Sequence, residues 1–247
     1  MPIVLVHGAW AGAWSWRDAA RLLRKEGFDV YAPTMTGIAE RSHVPPQNVT
    51  LSTHIADIAG LMRYEELENV LLVGHSYGGM VITGAADREP QRVAGMIYLD
   101  AFLPQSGQSL WDLAGPERAQ HHRDAAMAHN GGLSLPRPAQ TPPLAPELAA
   151  KWGALFTPQP VATQSEKWVS VRPEDQRTWP RRHYILCTQY KGSRFHGFAD
   201  DVKAHIAAGK PDWEYSEFDA GHDVVRADAQ LTARRIADIA RGWGVRE

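Results

Sequence analysis

Residues 69–86 read NVLLVGHSYGGMVITGAA. An unbroken apolar run, Val70 to Val73, enters a glycine-rich turn, and a second apolar stretch with helix-compatible residues leaves it. Strands that are apolar at every position are covered on both faces, so the run asks for a parallel sheet with helices on each side. The turn itself, Gly74-His75-Ser76-Tyr77-Gly78, places a serine between glycines two before and two after. On a sharp strand-to-helix turn such a serine is held in a strained conformation with its oxygen raised above the sheet edge. The glycines leave room for neighbouring backbone. Gly79 lets the following helix lie close to the strand.

The rest of the chain fits this requirement. Strand candidates are Ile3–Val6, Asp29–Ala32, Val70–Gly74, Ala94–Leu99, His183–Thr188 and Trp213–Phe218, with helical stretches between them. Ser15 with Asp18 reads as a capping box for a helix to about Lys25, ended by Gly27. Further helices are expected over Thr53–Leu67, Tyr77–Arg88 and Asp228–Trp243. Residues 104–180 break the rhythm with short helical pieces, four tryptophans (Trp111, Trp152, Trp168, Trp179) and the stiff run PRPAQTPPLAPE. Inserted after the fourth strand, at the carboxyl edge of the sheet, this segment reads as a helical cap over the ligand crevice. The expected organisation is an α/β core of residues 1–103 and 181–247, built on a six-stranded, mostly parallel sheet, with the cap at 104–180.

Composition excludes several classes. With 44% hydrophobic and 22% charged residues the chain is an ordinary globular protein, and its net charge of −2 offers no basic footprint for nucleic acid or membrane. The opening apolar run, Pro2 to Val6, is too short for a signal peptide and lacks a basic region before it. The single cysteine, Cys187, forms no internal disulfide and reads as core filler. Both features lead us to expect a cytoplasmic protein. A homodimer is compatible with the sequence, which is silent on subunit number.

A serine hydroxyl is a weak nucleophile and needs a base within hydrogen-bond reach. Among eleven histidines, His222 in EFDAGHDVV follows the last strand and comes after the serine in chain order, where the elbow architecture places its base. His7 is followed by a glycine turn that suggests another role, and His75 is expected to point away across the elbow. His121, His122 and His129 fall in the cap, where solvated histidines are common. Acyl transfer also needs two backbone N–H donors for the developing oxyanion. Tyr77, after the serine, supplies one; Ala9, after Gly8 in VHGAWAGAW, supplies the other. Trp10, Trp111 and Tyr190 are candidates for the substrate-binding wall.

Together these residues resemble the α/β-hydrolase superfamily, and within it the branch of plant methyl esterases, hydroxynitrile lyases and bacterial esterases. VLVHGAWAGAWSW (4–16), GHSYGG (74–79), YLDAFLPQSGQSLWDL (98–113) and AGHD (220–223) carry the likeness, while residues 114–180 match loosely. The resemblance implies six parallel strands, a helical cap, no metal and no cofactor, and a serine carboxylesterase acting on a small, largely apolar or aromatic ester. The alternatives are a cyanohydrin-cleaving lyase or a non-catalytic small-molecule receptor. The lyases carry a threonine at the place of Gly8 and a lysine directly after the histidine, where this chain has Asp223. Both differences favour hydrolysis.

One element is missing from its usual place. The plant esterases put an aspartate after the fifth strand, in a stretch similar to CTEDKG; this chain reads CTQYKG, with Gln189 and Tyr190 in place of the acids. A tyrosine, with an ordinary pKa near ~10, carries no charge at neutral pH. Asp100, ending the fourth strand in YLDAF, is the expected carboxylate, because an aspartate directly after Ile97-Tyr98-Leu99 needs a buried partner. The other candidates are Asp200 and Asp201 on a helix, Asp223 beside the base, and a dyad completed by water or Tyr190.

Overall fold

The computed structural model describes residues 1–137, 146–191, 193–210 and 212–244. The elements in chain order are β1 (Ile3–Val6), α1 (Arg17–Lys25), β2 (Val30–Tyr31), α2 (Leu51–Tyr64), β3 (Val70–His75), α3 (Gly78–Arg88) and β4 (Val93–Leu99). The long insertion follows with α4 (Leu110–Ala114), α5 (Pro116–Asn130), β5 (Ser134–Leu135), α6 (Pro146–Gly153), β6 (Gln159–Pro160) and α7 (Ala162–Ser165). The chain closes with β7 (Arg181–Cys187), α8 (Arg194–Ala207), β8 (Trp213–Phe218), α9 (Val224–Ala227) and α10 (Ala229–Gly242). Residues 138–145, most of the proline-rich run, lie outside the described residues.

Among the described residues one six-stranded sheet runs β2-β1-β3-β4-β7-β8, every neighbouring pair parallel. Strand order reverses between β1 and β3. Their carboxyl ends therefore flank the crevice in which open α/β sheets bind ligands. The sheet is apolar on both faces because each face has its own core. One unites Val4, Leu72, Met80 and Tyr184 with α2, α3 and α8. The other unites Leu5, Val73, Trp16 and Ile236 with α1 and α10. The antiparallel pair β5–β6 stands apart within the insertion.

Two helix starts differ from expectation. Ser15 lies in a short 3₁₀ turn, Ala13–Trp16, and its hydroxyl donates to the Gly12 carbonyl, so α1 begins at Arg17 without a side-chain cap. The helix α2 starts at Leu51, two residues earlier than expected, behind a capping box of Thr50 with Thr53. In both places Ser or Thr bonds to local backbone, and the packing of the next turn decides where the helix begins.

The insertion is tied down at several points. Glu166 accepts from the Ser52 amide and hydroxyl at 2.7 and 2.8 Å at the start of α2. Asp87, buried on α3, accepts from the Val171 amide and the Arg172 guanidinium at 2.7 and 3.0 Å. No helix of the described residues is long and apolar enough to cross a membrane.

Candidate active site

The glycines of the elbow are required by space. A Cβ at Gly74 would stand 2.7 Å from the Gly78 carbonyl oxygen, and one at Gly78 would stand 2.6 Å from that of Val6. This crowding turns the chain sharply from β3 into α3. Ser76 sits at the apex with φ of 55°, a left-handed conformation that a residue with a Cβ adopts only under constraint. Asp100, beyond β4, and Trp10, beyond β1, are held the same way at φ of 43° and 62°. Three neighbouring strands thus end in strained residues at one edge.

These turns bring distant residues together. Ser76 Oγ lies 3.0 Å from His222 Nε2, and His222 Nδ1 lies 2.6 Å from Asp100 Oδ2. Asp100 is fully buried, and its other oxygen accepts the Cys187 amide at 3.1 Å. With Nδ1–H committed to the carboxylate, Nε2 presents its lone pair to the Ser76 hydroxyl. The Phe195 ring stacks on His222 with centroids 4.9 Å apart and planes 8° from parallel. The usual acid position is filled otherwise: Gln189 donates from Nε2 to the Asp219 carbonyl and carboxylate at 3.2 Å, bracing the loop that carries His222. Tyr190 faces His222 with centroids 5.6 Å apart. Asp200 is exposed and pairs with Lys203, Asp201 is exposed on α8, and Asp223 pairs with Arg226.

His75 departs from expectation. It does not turn away from the site: its Nε2–H donates to the His222 carbonyl at 2.8 Å, and the two rings lie 4.7 Å apart. Burial, reinforced by His222 and Arg226, pushes its pKa well below the ordinary value, so it is neutral and donates from one fixed tautomer. His7 sits behind the loop after β1, donating from Nδ1 to the Gly8 carbonyl and accepting the Met35 amide at Nε2.

A cavity of about 510 Å³ opens over Ser76 and His222. Gly8, Ala9 and Tyr77 are among its lining residues, and Trp10, Tyr190 and Phe195 contribute aromatic wall. The insertion supplies Leu110, Ala114, His122, Phe156 and Gln164. Trp111 is displaced from its expected place: it is not part of the lining, and its indole N–H donates to Gln164 Oε1 at 3.3 Å behind the wall. His122 is also corrected, being buried against the same oxygen at 3.2 Å, with burial lowering its pKa to about 4. Neither role was visible in the sequence, since the partners lie 53 and 42 positions away. Position 8 has little spare room, because a Cβ there would meet His75 Nδ1 and Ser76 Cβ at 3.2 Å.

A parallel sheet with a serine on the elbow after β3, a carboxylate at the end of β4 and a histidine beyond β8 defines a hydrolase of the α/β class. The Alpha/beta hydrolase family model matches residues 3–235, and the chain belongs to that family. It is 40% identical to a carbendazim hydrolyzing esterase from Nocardioides sp., over 96% of this chain and 98% of that one. It is 36% identical to salicylic acid-binding protein 2 of Nicotiana tabacum over 42% of this chain and 40% of that one. Among solved structures it resembles an extracellular α/β-hydrolase from a Paenibacillus species, with a TM-score of 0.82 at 23% identity, over 96% of this chain and 98% of that one.

Proposed function

We propose that the protein is a serine carboxylesterase acting on small, largely apolar or aromatic esters through an acyl-enzyme intermediate. The observation that carries this reading is the hydrogen-bonded series Ser76–His222–Asp100, with Ser76 and His222 lining a cavity whose wall includes Trp10, Phe156, Tyr190 and Phe195. Ser76 Oγ attacks the ester carbonyl while His222 Nε2 takes its proton. Asp100 holds the Nδ1–H tautomer and stabilises the imidazolium. The Ala9 and Tyr77 amides receive the oxyanion. His222 then returns the proton to the leaving alcohol, and water releases the acyl group by the same route. Residues 104–180 act as the cap that roofs the cavity.

The substrate class is supported by the relatives, an esterase that hydrolyses carbendazim and, more distantly, plant methylesterases. Cyanohydrin cleavage is disfavoured by the residue after the base, Asp223, which pairs with Arg226 and offers no cation to cyanide. The working compartment is read as the cytoplasm. The test is release of nitrophenol from short-chain p-nitrophenyl esters, with methyl esters and carbendazim in the same panel. Ser76→Ala is expected to abolish turnover; retention of the wild-type rate by that variant rules out the mechanism.

A further inference from the structure

The oxyanion loop is held from above. Trp10 directly follows the proposed donor Ala9, and its left-handed backbone, φ of 62°, is not a conformation a tryptophan adopts unaided. Each of its polar groups is bonded to the insertion. Its amide donates to Gln159 Oε1 at 2.9 Å, its indole N–H donates to the Leu135 carbonyl at 3.1 Å, and its carbonyl accepts the Thr157 amide at 3.1 Å.

Gln159 is fully buried, and both ends of its amide have assigned partners. The Trp10 amide can only donate, so the atom facing it is Oε1. Nε2 then donates to Thr163 Oγ1 at 2.6 Å, and that hydroxyl donates to the Pro160 carbonyl at 2.7 Å. The turn from β6 into α7 therefore reaches the Ala9 side of the proposed oxyanion hole through Gln159 and Trp10.

We infer that Gln159 is a positioning residue: through Trp10 it fixes the Ala9 peptide in its oxyanion-binding orientation, so that the insertion completes the catalytic site as well as shaping the pocket. This rests on the esterase reading above. A hydrophobic isostere at 159 deprives the Trp10 amide of its acceptor, and the loop relaxes to find another. Removing one oxyanion donor outright costs about 10²- to 10³-fold in kcat. Displacing one is expected to cost about tenfold to a hundredfold.

The test compares Gln159→Met, Gln159→Glu and Thr163→Val with wild type. Gln159→Met is expected to lower kcat by about tenfold or more with KM changed less than about threefold, because the oxyanion forms only in the transition state. Gln159→Glu keeps the acceptor for Trp10 and is expected to recover most of that loss. Thr163→Val, which keeps the Trp10–Gln159 bond and removes the acceptor for Nε2 and the donor to the Pro160 carbonyl, should fall between and serves if Gln159→Met does not fold by circular dichroism.

A second readout is independent of ester turnover. An alkyl fluorophosphonate forms a bond from Ser76 Oγ to phosphorus as fluoride leaves and His222 takes the proton, and the rate is followed by mass spectrometry. Slower labelling in Gln159→Met supports the inference even if no ester is cleaved, an outcome that would defeat only the esterase reading. Equal labelling rates, or a rise in KM with kcat intact, would overturn it and leave Gln159 as a wall-shaping residue.

Discussion

Asp100 is fully buried with both carboxylate oxygens engaged, one by His222 and one by the Cys187 amide. Asp100→Asn keeps the size and loses the charge, and its amide then favours the wrong histidine tautomer. By analogy with serine proteases, kcat for a p-nitrophenyl ester should fall by about 10⁴-fold with the fold intact. A loss below tenfold, with Tyr190→Phe more damaging, would move the acid's role elsewhere. The placement of this aspartate against His222 was legible in the sequence, because a carboxylate directly after an apolar strand is tolerated only where a buried partner meets it. The brace from His75 to the His222 carbonyl was not, since it spans 147 positions. His122 and Gln159 were hidden for the same reason: their identities follow from partners that the fold, not the local sequence, selects.

The sheet strands were legible within one to two residues at most ends, because their apolar runs are set by burial on both faces. The insertion was not, because short helices with mixed faces take their places from a few long-range hydrogen bonds such as the pair from Ser52 to Glu166. The docking of α3 is the clearest test of how tightly these elements are spaced. A Cβ at Gly79 would stand 2.1 Å from the Phe102 carbonyl oxygen, a backbone atom of the segment after β4 that cannot turn aside. At Gly84 the clashes, 2.3 and 2.7 Å, are with Cδ1 and Cγ1 of Ile55, side-chain atoms that yield more readily than backbone. Gly79→Ala is therefore expected to destabilise by about 3 kcal/mol or more and to disturb Ser76, while Gly84→Ala costs about 1 kcal/mol. Urea unfolding of the two variants checks the order; equal losses would mean that α3 shifts as easily as a side chain.

Buried neutral histidines link the molecule's stability to pH. His7 and His54 are wholly inside, and desolvation is the first cause lowering each to about 4. Their hydrogen bonds require the neutral form: His54 donates from Nε2 to the Thr36 carbonyl and accepts the Tyr77 hydroxyl at Nδ1. In the unfolded chain both titrate near 6.5. Between those values the unfolded state binds more protons than the folded one, so stability rises with pH. The contribution is fully present above about 6.5 and is lost as the pH falls toward 4. Each histidine adds a slope approaching about 1.4 kcal/mol per pH unit within that window. The urea midpoint should accordingly drop steeply from pH 6.5 to 4.5. In His54→Gln, which keeps an amide donor for Thr36 and cannot be protonated, the slope should shrink by about one proton. An unchanged slope would place the acid sensitivity in groups other than His54.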